Sequence, residues 1–349
     1  MTTTSKTRLG ASGPEVFPFA LGCMGMGARG IYGASDDAEG IATIHAALER
    51  GVSLIDTGDF YSMGRNELLV GKALAGGRRD SVVLATKVHG TMGDDPNQFG
   101  NSRRWIIQEV ESSLRRLGTD WIDLYQIHRP EPDTDIDETL GALSDLVTAG
   151  KVRYIGSSTF PAGQIVEAQW AAERRGRERF VCEQPPYSLL IRGVEAEVLP
   201  VCEKYGMGVI PWSPLAGGWL SGKYTSGSES PDSSRRAQML PSRYDMTIPG
   251  NQHKLEAAQQ LGKLAEDAGI TLIEMALAFV MRHPAVTAPI IGPRTMEQLE
   301  SQLPALETTL SGDLLDRIDE VVPPGTNVNP NDRGWDPPWL ADAALRRRS

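Results

Sequence analysis

Eight short apolar runs recur along the chain with room for a helix between most of them. This alternation restricts the possible folds more than any other feature. The runs are FALGC (19–23), SLIDT (53–57), VVLATK (82–87), WIDLYQIH (121–128), VRYIGSS (152–158), FVCEQ (180–184), GVIPWS (208–213) and APIIG (288–292). Several are β-branched and apolar on both faces, as strands covered on both sides must be. Amphipathic stretches separate them, at 37–51, 103–118 and 135–150 among others. In the second of these, Trp105, Ile106, Val110, Ser113, Leu114 and Leu117 share one face while Arg and Glu take the other. Asp137 is expected to cap the third helix, and Gly51, Gly118, Gly150, Gly206 and Gly269 stand where a left-handed residue closes a helix.

Eight strands, each mostly followed by a helix, predict an α/β fold: a closed (β/α)8 TIM barrel spanning residues 1–349 as one domain, with 323–349 as a C-terminal tail. A doubly wound open sheet is the alternative. It is disfavoured because no G-x-G-x-x-G follows the first strand, and GCMGMG (22–27) has the wrong spacing. Three segments fall outside the repeat. TRLGASGPEV (7–16) has the turn chemistry of a β-hairpin. Residues 224–251 read as a long, polar, structureless and mobile loop over a site. The tail is rich in Pro and Gly yet carries Trp335 and Trp339, so it is expected to dock.

A net charge of −10 argues against a nucleic-acid surface, which needs a concentrated basic face. Three widely spaced cysteines, Cys23, Cys182 and Cys202, form no C-x-x-C and suit a reducing compartment. The N-terminus lacks the apolar core of a secretory signal, and MALAFVM (275–281) is too short to span a bilayer. These features predict a cytoplasmic protein with no membrane partner; the oligomeric state stays open.

In such a barrel, chemistry gathers at the C-terminal ends of the strands. The polar residues there are Asp56, Lys87, His128, Ser157, Ser158, Thr159, Gln184, Trp212, Ser213 and, after Gly292, Arg294. Asp56 and Lys87, expected at matching heights on adjacent strands, read either as a buried salt bridge or as tuners of a neighbouring acid. Tyr61, on the loop after Asp56, supplies that acid; a lysine beside its hydroxyl favours phenolate and lowers its pKa. His128 reads either as a structural histidine or as a donor to a substrate oxygen. The five histidines are scattered singly, so no metal is implied, and no activated Ser or Cys nucleophile is visible. A proton donor without nucleophile or metal points to a redox cofactor. Ser158, Thr159 and Gln184 suit a carboxamide, Trp212 is either a stacking face or a core residue, and SPLAGG (213–218) offers backbone amides to a pyrophosphate. Gly292, Arg294 and Thr295 open a helix that would favour an anion. Arg294 reads either as a grip on a ribose 2′-phosphate or as a solvated arginine.

Taken in order, IDTGDFY, LATK, DLYQIHRP, RYIGSS, VIPWSPLAGGWLSGKY and IIGPRTMEQLE resemble the aldo-keto reductase family from about Arg8 to Val322. The resemblance implies a carbonyl reductase that takes hydride from NADPH and returns NADP+, acting on a small-molecule aldehyde or ketone. It implies Tyr61 as proton donor, Lys87 and Asp56 as its tuners and His128 as the group that orients the carbonyl. Ser158, Thr159 and Gln184 would hold the carboxamide and Trp212 would stack on the ring. Cys23, Met24, Ser213, Pro214, Leu215, Lys223, Gly292, Arg294, Thr295, Gln298 and Gln302 would line the rest of the cofactor. Thr159 stands where the family often has Asn, Trp212 where Tyr is commoner and Gln302 where Asn is frequent. Substrate choice would fall to Tyr32, to the loop with His89, Met92 and Phe99, to Arg129 and to residues 224–251. Asp59 reads as a loop or substrate-side residue. Two other functions compete: a non-catalytic NADPH-binding regulatory subunit of the same fold, and a lyase using Lys87 as a Schiff base, which would want Lys87 unpaired.

Overall fold

The computed structural model describes residues 6–27, 36–224, 230–231, 237–238 and 240–347. All eight apolar runs form strands of one parallel sheet: β3 (Ala20–Gly22), β4 (Leu54–Asp56), β5 (Val83–Val88), β6 (Ile122–Ile127), β7 (Val152–Ser158), β8 (Phe180–Gln184), β9 (Gly208–Val209) and β10 (Ile290–Ile291). Their order is β10-β3-β4-β5-β6-β7-β8-β9. The two ends meet: Val209 bridges Val286, and the Ile290 amide donates to Pro211 O at 2.9 Å. The sheet therefore closes into the expected (β/α)8 barrel.

The outer layer contains α1 (Asp37–Glu49), α2 (Arg65–Leu74), α3 (Arg103–Leu117), α4 (Ile136–Thr148), α5 (Ala162–Arg175), α6 (Val198–Tyr205), α7 (Pro241–Tyr244), α8 (Pro249–Asp267), α9 (Leu272–Arg282), α10 (Met296–Gln302) and α11 (Gly312–Val321). The apolar face expected for α3 is buried. Glu109 and Arg116 depart from that reading by turning inward. Arg116 donates to Glu109 and, at 2.6 Å, to Glu67, so the buried charges are paired. The five helix-closing glycines all take positive φ. The N-cap of α4 is Asp135, not Asp137: Asp135 Oδ1 accepts the Asp137 amide at 2.9 Å, while Asp137 itself faces Arg177 at 3.2 Å.

Inside the barrel, the two-residue period of each strand separates layers. Ala20, Leu54, Ala85, Leu124, Cys182, Ile210 and Ala288 form an apolar layer, together with Leu9 and Val16. The last two belong to the predicted hairpin, β1 (Thr7–Arg8) paired with β2 (Glu15–Val16). It plugs the barrel so tightly that a Cβ on Gly10 would stand 2.6 Å from Gly206 O and Gly208 N. One inward step beyond the apolar layer come Asp56, Lys87, Gln126 and Gln184, two residues after Leu54, Ala85, Leu124 and Cys182. The polar site thus stands on an apolar floor.

Residues 224–251 are not wholly polar or structureless. Tyr224 and Tyr244 are buried, 241–244 is helical, and Pro249 begins α8. Tyr244 stacks on Trp219 with centroids 5.6 Å apart. The tail docks as expected, with Thr326, Asn327, Val328, Asn329 and Asp332 among the residues that hold it. Asn329 Nδ2 donates to Asn251 at 2.8 Å, and Lys254 donates to Asp332 at 2.8 Å. Trp335 and Trp339 pack against each other edge to face, with Trp339 exposed. Among the described residues no helix is long and apolar enough to cross a membrane.

Candidate active site

Asp56 ends β4 facing inward because Leu54, two residues earlier, faces the apolar layer. In the ladder it pairs with Ala85, so Lys87 stands one inward position further along its own strand. The long lysine stem spans that step. Lys87 Nζ lies 2.7 Å from Asp56 Oδ2, 2.7 Å from Thr57 O and 3.1 Å from the Tyr61 hydroxyl. Burial pulls the ammonium's pKa down; Asp56 and Tyr61 outweigh it and leave the value raised. The other Asp56 oxygen accepts from Gln184 Nε2 at 2.8 Å and Gln126 Nε2 at 3.4 Å.

The loop after Asp56 places the Tyr61 ring against Gly58, where a Cβ would meet ring carbons at 3.1 Å. A methyl group there would need the ring to give by a few tenths of an ångström. The expected fall in the Tyr61 pKa does not occur. Burial raises it, and Lys87 opposes burial without overcoming it. Tyr61 therefore stays a phenol at neutral pH, with its proton resident.

His128 follows β6, with its ring 5.6 Å from that of Tyr61 and 5.0 Å from that of Phe60. Burial, with Arg129 and Lys87 nearby, holds its pKa well below the ordinary histidine value, so the imidazole is neutral. Its Nδ1 is buried without a hydrogen-bond partner among the described residues. The structure thus brings together Asp56, Tyr61, Lys87 and His128, as the sequence predicts. Asp59 does not join them. It is fully buried, accepts the Phe60 amide at 2.7 Å, and burial beside Glu67 and Glu109 pushes its pKa well up. Asp59 is thus an enclosed residue of the loop between β4 and α2, in keeping with the loop half of its reading.

Around this cluster, Ser158 Oγ donates to Gln184 O at 2.9 Å and Trp212 Nε1 donates to Thr159 Oγ1 at 3.3 Å. Thr159 and Ser213 both take positive φ, near 61° and 57°. The SPLAGG turn spends part of its amides internally: Ala216 donates to Ser213 O and Gly218 to Leu215 O. Pro214 is buried, and Lys223 Nζ lies 4.5 Å above the Tyr224 ring. Gly292 precedes the α10 start, where Thr295 caps by accepting the Gln298 amide and Gln298 Oε1 accepts the Arg294 amide at 2.9 Å. Arg294 lies across Gly25, next to Met24: a Cβ there would stand 2.8 Å from its Cγ. Gln302 is buried, with Oε1 unpartnered among the described residues. Cys23 has little polar capacity to offer. Its amide donates to Asp56 O, its carbonyl accepts from Asn66, and burial raises its thiol pKa far above the ordinary value.

A family model described as the Aldo/keto reductase family matches residues 18–323. The chain belongs to the aldo/keto reductase family. A Bacillus subtilis protein named "Uncharacterized oxidoreductase YrpG" is 37% identical over 94% of this chain and 99% of its own length. "Versiconal hemiacetal acetate reductase" of Aspergillus parasiticus is 31% identical over 93% of this chain and 99% of its own. A Schizosaccharomyces pombe protein named "Putative voltage-gated potassium channel subunit beta" is 34% identical over 90% of this chain and 92% of its own.

Aldo/keto reductases generally bind a nicotinamide cofactor and act on small carbonyl compounds. The residues present fit such a cofactor: short polar groups beside the Trp212 face, and an orphaned Gln302 carbonyl at the far end. Of the substrate-side candidates, His89 Nδ1 donates to Asn101 Oδ1 at 2.9 Å and its ring packs on Phe99, 4.7 Å between ring centres. Met92 packs on the core. Arg129 donates to His128 O and, at 3.4 Å, to Ser158. Tyr32 lies outside the described residues. Sequence reading missed Gln126, Phe60, Arg243 and Glu183. Glu183 accepts from Ser157 Oγ and the Phe160 amide beneath the Thr159 turn. Gln126 alone had a legible signal: it sits at the inward period of β6, between Leu124 and His128.

Proposed function

We propose that this chain reduces an aldehyde or ketone to an alcohol by hydride transfer from NADPH, with Tyr61 as proton donor. The carrying observation is the buried triad in which Lys87 donates to both Asp56 and the Tyr61 hydroxyl, beside a neutral His128. The bound nicotinamide would supply hydride to the carbonyl carbon. Tyr61 would give its phenolic proton to the carbonyl oxygen, with Lys87 favouring the phenolate left behind. A neutral His128 can donate one hydrogen bond to that oxygen and orient it. Asp56 keeps Lys87 charged and in place. Ser158, Thr159, Gln184 and Trp212 would position the ring; Met24, Ser213, Pro214, Leu215, Lys223, Gly292, Arg294, Thr295, Gln298 and Gln302 would line the remainder. Arg294 beside Gly25 would favour the 2′-phosphate form. His89 and Arg129 would face the substrate.

Tyr61→Phe should lower kcat by at least a hundredfold with a panel of aldehydes, while NADPH still quenches tryptophan fluorescence. Undiminished turnover in that variant refutes the acid assignment. The relative with a channel-subunit name favours a second reading, a non-catalytic nicotinamide-binding subunit of the same fold. NADPH binding without turnover of any carbonyl class would select it.

A further inference from the structure

Two guanidinium groups approach one ring. Arg129 Cζ lies 5.8 Å and Arg243 Cζ 6.0 Å from the centre of the Trp212 ring. They come from distant parts of the chain, one directly after His128 and the other from α7. Among the described residues Arg129 forms no ion pair within 4.0 Å; its hydrogen-bond acceptors are His128 O and Ser158 Oγ. The acidic neighbour of Arg243 is Asp332, at 3.6 Å, and Lys254 holds that same carboxylate more closely at 2.8 Å. Among the described residues, Arg129 and Arg243 thus approach Trp212, and the Asp332 carboxylate near Arg243 is shared with Lys254, in a chain whose net charge is −10.

Glu183 corrects the imbalance only in part, its charge being the weakest of the influences on Arg129. It is fully buried, its oxygens are taken by Ser157 and the Phe160 amide, and burial lifts its pKa to about 7. Arg129 in turn is lowered from the ordinary arginine value by burial first and by the charge of Arg243 second. Like charges gathered about one ring in a partly desolvated place raise the free energy of the site, and an oxyanion bound there relieves it. Planar guanidinium forks match a carboxylate in shape as well as charge. The position is also right for a substrate. Arg129 adjoins His128, and its charge lowers the Tyr61 pKa against the larger effect of burial. On the tail side, a Cβ on Gly334 would stand 2.8 Å from the Trp212 ring, so the tail walls the ring's edge.

We propose that Arg129 and Arg243 form the anion-recognising part of the carbonyl site, selecting aldehydes or ketones that carry a carboxylate. This rests on the carbonyl-reductase reading and adds the substrate class to it.

The test compares 4-carboxybenzaldehyde with its uncharged methyl ester, using the full chain and NADPH. Wild type should show kcat/KM at least tenfold higher for the acid. In Arg129→Met and Arg243→Met the acid-to-ester ratio should fall below about twofold, and Arg243→Lys should restore part of it. Calorimetry of terephthalate binding to the NADP+-loaded protein should show at least tenfold weaker affinity in Arg243→Met. An acid-to-ester ratio near one in wild type overturns the proposal and leaves the reductase reading intact. So does a ratio unchanged in Arg243→Met while its affinity for NADPH drops, since the anion would then be the cofactor's pyrophosphate. Failure of wild type to oxidise NADPH with either compound or any uncharged aldehyde refutes the reductase reading itself.

Discussion

Lys87 keeps its charge where an isolated ammonium would lose it, because Asp56, Thr57 O and Tyr61 take up its three donors. That arrangement was legible in the sequence as a convergence of strand-end residues. The direction of the Tyr61 pKa was not, since burial at this depth depends on everything packed around the loop. Glu183 was equally invisible: FVCEQ reads as a strand with an acid in it, and nothing local shows that the carboxylate is completely enclosed. Its raised pKa gives a testable sign. A carboxyl whose folded pKa lies near 7, above its ordinary 4.5, contributes stability that is complete below about pH 4.5 and is lost as pH rises through 7. Thermal denaturation of wild type and Glu183→Gln should therefore diverge across that window. The wild type should lose on the order of 3 kcal/mol relative to the variant between pH 4.5 and 8, at about 1.4 kcal/mol per pKa unit. A difference in stability that stays constant with pH would contradict the assignment.

At the scale of elements, hydrophobic alternation located all eight strands, because buried parallel strands carry a signal that survives any tertiary context. Helix ends were less secure. Asp135 and Asp137 are both chemically able to cap α4, and the choice fell to Asp135 because Asp137 is drawn to Arg177 across the helix layer. The hairpin was recognisable from its turn residues, but its role as a plug was not. Gly10 has φ near +66° and its backbone touches that of Gly206 and Gly208. Gly10→Ala should cost about 3 kcal/mol, combining left-handed strain with backbone displacement. Urea denaturation checks this; a loss below 1 kcal/mol would mean that the hairpin can withdraw freely.

At the scale of the whole molecule, the tail is joined to the barrel by a charge pair. Lys254 is buried over the Trp219 ring at 4.6 Å and donates to Asp332, itself almost fully buried. Removing one partner strands the other. Lys254→Met or Asp332→Leu alone should each destabilise the protein by about 3–5 kcal/mol, whereas the double variant should recover most of that loss. Chemical denaturation of the four proteins measures the coupling, and additive losses would show that the two residues act independently. Limited proteolysis of the single variants should cleave first within residues 323–347, where the docking contacts lie.

The sequence by itself determined the barrel and the identity of the converging side chains. Period-two burial and the polar residue ending each strand are local properties, and a closed parallel barrel brings such ends to one face. Only the tertiary structure decided which polar groups are enclosed, how Tyr61 and His128 titrate, and that Arg129, Arg243 and Gly334 meet around Trp212. Those outcomes depend on desolvation and on contacts between segments as much as two hundred residues apart, and no local pattern encodes them.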